Sequence, residues 1–255
     1  MSIKRLYIDL EVSPNIMLSW RAGYKINLQP DSIIQERAII CVCYKWEGDK
    51  QVSSMTWDKG NDKALVTKFA KILMQADEVV AHNGDRFDVK WFRTRCIFHG
   101  IDCPPEIKTI DTLKLAKSGF LFNSNKLDYI GEFLGLGNKI KTNYSLWKDI
   151  LLFNSPKAMK EMVTYCKRDI ELLEQVYFKL KNYTKHKSHS AVLAGGDKID
   201  CPECESTHTH IRGYSISAAG VQKTRCQCQD CGKYFQVAKT TADKLFAERR
   251  RKDKV

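Results

Sequence analysis

The chain has 255 residues, of which 43% are hydrophobic, enough for one domain of about 150 to 200 residues with a real core plus a small module. Its 42 Lys and Arg against 30 Asp and Glu give a net charge of +12, which points to an anionic partner and above all to a polyanion. No stretch approaches the ~20 apolar residues that span a bilayer and the first residues lack the apolar run of a signal peptide, so the sequence predicts a cytoplasmic protein with no membrane partner.

Residues 3–12 alternate, with Leu6, Ile8, Leu10 and Val12 on one face and Arg5, Tyr7, Asp9 and Glu11 on the other, and read as a strand. Segments 37–46 and 52–57, split by Glu47-Gly48-Asp49, read as a hairpin. Leu65, Phe69, Ile72 and Leu73 recur at helical spacing within 62–76. The apolar run EVVAHN then predicts a buried strand leading into a helix from about Phe87 to Phe98. A short strand closes at 109–112 and opens a helix for which Asp111 is a candidate cap. Helical stretches follow near 126–135 and 144–152. The last long helix starts at Ser155-Pro156, a cap residue followed by proline at the first helical position, and runs to about Tyr183. Strands first, then strands mixed with helices, predict an α/β domain with a mixed sheet over residues 1–183.

Beyond it the apolar periodicity stops, and 184–199 reads as a linker. Residues 200–238 hold a cysteine-rich module, and 239–255 form a basic tail expected to be solvated or disordered. The 28 basic and 22 acidic residues of 1–183 and the 14 and 8 of 184–255 leave each part at +6, so the shorter part is the more densely positive.

Acids in three separate segments carry the chemistry. Asp9 and Glu11, two apart on a strand, leave the same face and can share a cation; alternatively they are the polar side of an edge strand. On the last helix Asp169 falls within the apolar stripe of Met162, Cys166, Leu173, Val176 and Leu180, so it needs a partner, either a metal ion or a buried Arg or Lys. Tyr165, one turn earlier, reaches the same pocket or packs at the core edge. Asp88 follows a glycine turn between strand and helix, a frequent ligand position in α/β sheets; helix capping by Asp85 or Asp88 is the plainer alternative. Such a cage can hold two divalent cations for an in-line phosphoryl displacement, which predicts a metal-dependent nuclease. His82 reads as a packed or hydrogen-bonded residue. Trp20 and Tyr24, next to basic residues, either stack bases or pack.

The ordered set I-D-L-E, H-N-G-x-x-F-D and Y-C-x-x-D resembles the three exonuclease motifs of the DEDD superfamily, in particular its tyrosine-bearing branch, which includes the proofreading domain of family B DNA polymerases and free-standing phage and bacterial relatives. The resemblance covers about residues 3–180. It implies a ribonuclease H-like mixed sheet flanked by helices and 3′-to-5′ hydrolysis of DNA, or of RNA, with two Mg²⁺ or Mn²⁺. It carries Asp9, Glu11, Asp88 and Asp169 over as metal ligands, Tyr165 as the residue that positions the attacking water, and Asn83 and Phe87 as substrate-cleft residues. Its partners would be nucleic acid with a free 3′ end and replication or repair proteins. The competing readings are an endonuclease on the same fold and a non-catalytic nucleic-acid-binding protein.

Five of the ten cysteines lie between 201 and 231, a metal-site distribution that suits a reducing compartment. Cys201-x-x-Cys204 and Cys228-x-x-Cys231-Gly, 23 residues apart, can offer four thiolates to one structural Zn²⁺ and resemble a zinc ribbon. Cys226, His208 and His210 are competing ligands. Lys223, Arg225, Lys233 and Lys239 fit a module that grips nucleic acid, or one that docks protein or is purely structural.

Overall fold

A computed structural model describes residues 3–21, 23, 29–104, 106–137 and 143–252. Tyr24 lies outside them, whereas Trp20 stands fully exposed. The order is β1 (Arg5–Val12), β2 (Ile16–Met17), β3 (Ile33–Gln35), β4 (Ile39–Trp46), β5 (Ser53–Thr56), α1 (Lys63–Leu73), β6 (Glu78–Ala81), α2 (Asp88–His99), β7 (Thr109–Asp111), α3 (Thr112–Gly119), α4 (Leu127–Phe133), α5 (Ser145–Phe153), α6 (Pro156–Leu180), α7 (Ser190–Leu193), β8 (Thr209–Ile216), β9 (Gln222–Cys228), β10 (Tyr234–Ala238) and α8 (Lys239–Lys252). Among the described residues no helix is long and apolar enough to cross a membrane.

Five strands form a mixed sheet in the order β5-β4-β1-β6-β7, antiparallel from β5 to β1 and parallel from β1 to β7. The alternation in β1 does not mark an edge strand. Its Leu6, Ile8 and Leu10 pack with Leu65, Phe69 and Phe92 of α1 and α2. Its Tyr7 packs on the opposite face with Met162, Cys166, Leu173 and Val176 of α6. Both faces of the central strand are therefore covered, and polar residues on it meet protein rather than bulk water. Ser155 Oγ accepts from the Ala158 amide and Pro156 occupies the first turn, so α6 starts where cap and proline chemistry place it.

Asp62 ties the α1 side together. Its carboxylate takes two bonds of 2.7 Å from Arg95, one of 2.6 Å from His99 and one of 2.9 Å from the Ile39 amide. Burial opposes its ionisation, but Arg95, His99 and the Ile39 amide outweigh it and hold the carboxyl below its ordinary 3.8. A depressed acid contributes stability that is whole above its unfolded value and lost as pH falls through the folded one. Asp62→Ala, which leaves the Arg95 guanidinium buried without its partner, should cost about 3 kcal/mol at neutral pH. Urea unfolding at pH 7 and below pH 4 checks both statements: the variant should be weaker at neutral pH and less sensitive to acid.

The C-terminal part departs from the sequence reading in two places. The segment expected to be a linker forms α7 and buries Ser190, Ala191 and Ile199. The basic run is α8, because Ala242 and Phe246, one turn apart, pack on Ile199, Cys226, Phe235 and Val237, while Arg249 to Lys252 fill the last turn, where the helix dipole favours cations. Arg249 pairs with Asp200. This helix covers one face of the antiparallel sheet β10-β9-β8.

The module is fastened to the α/β domain by a buried charge network. Arg5 bonds Glu78 at 2.9 and 3.0 Å, Glu47 at 2.6 Å and Glu203 at 3.1 Å, and Lys181 reaches Glu203 at 3.3 Å. Lys233, 1% exposed, donates to the Lys181 and Thr184 carbonyls. Three cations and three carboxylates thus meet at the junction. Asn182 adds a bond of 2.8 Å to the Cys231 carbonyl.

Candidate active site

Asp9 and Glu11 leave β1 on the α6 face, and Asp169 meets them from α6, so that a carboxylate oxygen of each lies within 4.8 Å of the other two. Asp169 is 3% exposed, and the other two are half-buried. Like charges this close repel by about 3 kcal/mol per pair at an effective dielectric of 20. The donor set, carboxylate oxygens alone, matches a hard divalent cation such as Mg²⁺ or Mn²⁺, whose charge would remove that repulsion. Tyr165 lies on the same side of α6 one turn earlier, 8% exposed and packed in the core.

Asp88 stands apart from the three. Parallel pairing of β6 with β1 ends at Val80 and Tyr7, and past that point the chain turns away. The Asp88 carboxylate occupies the vacated edge and accepts from the Leu10 amide at 3.0 Å, so it is buried beside the strand, at the backbone between Asp9 and Glu11. Burial pushes its carboxyl up to about 7, against the Leu10 amide and with the help of the Asp111 charge.

The turn that delivers Asp88 is held from β7. Asp111 caps α3 by accepting from the Leu113 amide at 3.0 Å, and it also accepts from the Asn83 amide at 2.9 Å. Asn83 adopts a left-handed φ of 65°. At Gly84 a Cβ would lie 2.4 Å from that of Ala81, so only glycine fits the close return of the chain. His82 Nε2 lies 3.0 Å from the Asn125 carbonyl, which can only accept, and Nδ1 lies 2.9 Å from the Thr112 hydroxyl. His82 thus bonds α3 to the loop before α4. Asp85 pairs with Lys114 at 2.5 Å.

Asp9, Asp169 and Asn83 line a cleft of about 540 Å³ that Lys117, Lys126 and Asp128 complete. Phe87 is exposed at the start of α2, outside that lining. Lys117, Lys126 and Asp128 were not singled out in the sequence. They come from α3, the loop before α4 and its first turn, and nothing in their local spacing marks them.

The second cluster is the four thiols of Cys201, Cys204, Cys228 and Cys231, all within 4.8 Å of one another. The Cys201–Cys231 and Cys204–Cys228 sulfurs are 3.6 Å apart, close to the edge of about 3.8 Å that a tetrahedron with 2.3 Å Zn–S bonds requires. Cys226 faces the opposite way, into the core under α8. His208 pairs with Asp230 and His210 bonds Gln229, so neither histidine joins the thiols.

Known proteins agree with this architecture. No curated protein sequence matches the chain. Among solved structures it is similar to the family B DNA polymerase from the hyperthermophilic archaeon Pyrobaculum calidifontis, at 14% identity and a TM-score of 0.54 over 71% of this chain and 25% of the polymerase. The chain therefore matches only a quarter of that protein's length, and the likeness is one of fold. A family model described as RNase H superfamily matches residues 34–181, from β3 to the end of α6. With a mixed five-stranded sheet, helices on both faces and acids gathered at its central strand, the chain belongs to the RNase H superfamily.

Proposed function

We propose that the protein is a divalent-metal-dependent 3′-to-5′ exonuclease acting on DNA or RNA, with a zinc-bearing module that helps to hold the substrate. The observation that carries this reading is the convergence of Asp9 and Glu11 on a strand with Asp169 on a helix, 158 positions after Glu11, into one carboxylate cluster, two of whose members, Asp9 and Asp169, line a cleft together with Lys117 and Lys126. Two Mg²⁺ or Mn²⁺ held there would supply hydroxide at neutral pH and neutralise charge on the phosphate and leaving oxygen. Asp9, Glu11 and Asp169 hold the ions directly. Asp88 serves as the fourth acid, and its bond to the Leu10 amide fixes β1 between Asp9 and Glu11. Tyr165 orients the attacking water, Asn83 and Phe87 contact the terminal nucleotide, and Lys117 and Lys126 meet its phosphates. No covalent intermediate is required. The four thiols bind Zn²⁺ with no open position, so that ion is structural. The 3′-to-5′ polarity and the association with replication or repair proteins follow from the motif resemblance.

End-labelled oligonucleotides incubated with Mn²⁺ test this reading. Mononucleotides should be released from a free 3′ end, and a 3′-phosphate should block them; internal fragments from either label would instead establish an endonuclease. Tyr165→Phe should lower kcat by about 100-fold, the low end of the range of positioned proton-transfer groups, while Mn²⁺ affinity holds. Unchanged turnover would remove the tyrosine from the reaction.

A further inference from the structure

A groove of about 560 Å³ runs between the end of α6 and the outer face of the β10-β9-β8 sheet. In β9 and β10 the inner side chains, Thr224, Cys226, Phe235 and Val237, are buried. Alternation therefore turns Lys223, Arg225, Tyr234 and Gln236 outward, and the ladder sets Arg225 directly beside Gln236. Arg225 lies over Gly213 of β8, where a Cβ would sit 3.3 Å from its guanidinium nitrogen and where φ is +148°. From the other wall Tyr183 and Lys185 face the sheet. Tyr183 is 77% exposed and Tyr234 49%, and no Asp or Glu is among the described lining residues.

Aromatic rings lie between the groove and α3, the helix that borders the carboxylate cleft. Leu113 and Lys117 of α3 line the cleft, and Phe120, next after α3, meets the Tyr183 ring edge-on at 5.6 Å and stacks with Phe122 at 5.4 Å. Positive charge without carboxylates, interleaved with exposed ring faces, is the arrangement that holds unpaired nucleotides, because every base has a face to stack and every link a phosphate to neutralise. A duplex hides the base faces. An acidic peptide would satisfy the cations but leave the rings without a use.

We propose that this groove binds a single-stranded stretch of nucleic acid, with bases stacked on Tyr183 and Tyr234 and phosphates on Lys185, Lys223 and Arg225, while the terminus of the same strand lies in the carboxylate cleft. The proposal rests on the nuclease reading for the second half of that statement only; groove binding stands or falls by itself.

Fluorescence anisotropy of the full-length chain with 15-nucleotide dT and U oligomers tests it, in Ca²⁺ and on an Asp169→Asn background that prevents digestion. Tyr183→Ala/Tyr234→Ala should weaken binding by at least about tenfold, and Tyr183→Phe/Tyr234→Phe should restore it. Lys223→Ala/Arg225→Ala should reduce the log–log salt slope by about 1.4, since each of the two single-strand phosphate contacts contributes about 0.7. Binding of either polymer with these losses supports the site, and the tighter of the two names the sugar it accepts. Unchanged affinity and slope in variants that keep their zinc content and thermal midpoint would overturn it, as would equal competition by a duplex or by poly-glutamate. Such an outcome leaves the cleft untouched, because failure of the nuclease reading shows separately, as hydrolysis that survives loss of Asp9 or Asp169.

Discussion

Asp169→Ala should lower Mn²⁺-dependent hydrolysis by roughly 10³-fold or more, since a ligand lost from a two-ion site removes several kcal/mol of charge stabilisation from the transition state. The fold should survive. The carboxylates of Asp9, Glu11 and Asp169 crowd within 4.8 Å, so in chelator the alanine variant loses a repulsion and keeps the wild-type thermal midpoint or exceeds it. Mn²⁺ should separate the two proteins. An ion that binds only the folded state at a hundred times its Kd stabilises by about 2.7 kcal/mol, and at 2 to 4 °C per kcal/mol the wild type should gain about 5 to 10 °C that the variant does not. Paired calorimetric scans and a digestion assay read both effects. A variant that digests at the wild-type rate, or shows the same Mn²⁺ shift, would exclude Asp169 as a ligand.

The second large effect is expected at the four thiols. Structural zinc contributes on the order of 10 kcal/mol to modules of this kind, so Cys201→Ser or Cys231→Ser should release the ion and unfold β8 to α8. The damage should not stop there. Glu203 sits between Cys201 and Cys204, its amide donates to the Cys201 sulfur at 3.4 Å, and its carboxylate receives Arg5, Lys181 and the Tyr177 hydroxyl. Burial opposes its ionisation, but Arg5, Lys181 and Lys233 hold its carboxyl below the usual range. Removing it leaves Arg5 and Lys181 short of a counter-charge at the head of the central strand, worth about 3 kcal/mol. Metal analysis should report one zinc in the wild type and none in the variant, and hydrogen exchange should quicken in β1 as well as in the module. Loss of zinc with exchange in β1 unchanged would show the junction to be passive.

The reading of individual segments from the sequence succeeded where local chemistry decides. Period-two alternation marks β1, Ser155-Pro156 marks the start of α6, and the paired C-x-x-C spacing marks the four thiols. It fell short where partners are distant. That β1 is central depends on β4 and β6 flanking it, which its own residues do not disclose. The basic run of α8 masked Ala242 and Phe246, whose burial needs a sheet from elsewhere in the chain. Asp111 was legible as a cap, but its second task, fastening the Asn83 turn, joins residues 28 positions apart. Among the four acids, the helical stripe and the strand face foretold the meeting of Asp169 with Asp9 and Glu11. The motif around Asp88 did not foretell that its carboxylate would take the Leu10 amide at the edge β6 vacates.

The bond between Arg5 and Glu203 spans 198 positions and has a bearing on biosynthesis. At about 5 to 20 residues per second, a ribosome releases Arg5 roughly 10 to 40 s before it supplies Glu203. Glu47 and Glu78 emerge early enough to receive the guanidinium, so the nascent sheet is able to form, but its first strand is completed only after the cysteine module has been translated and has folded against it. The acidic cluster on that strand therefore reaches its final rigidity only once the cysteine module is in place, so the order of translation sets the order in which the two parts mature.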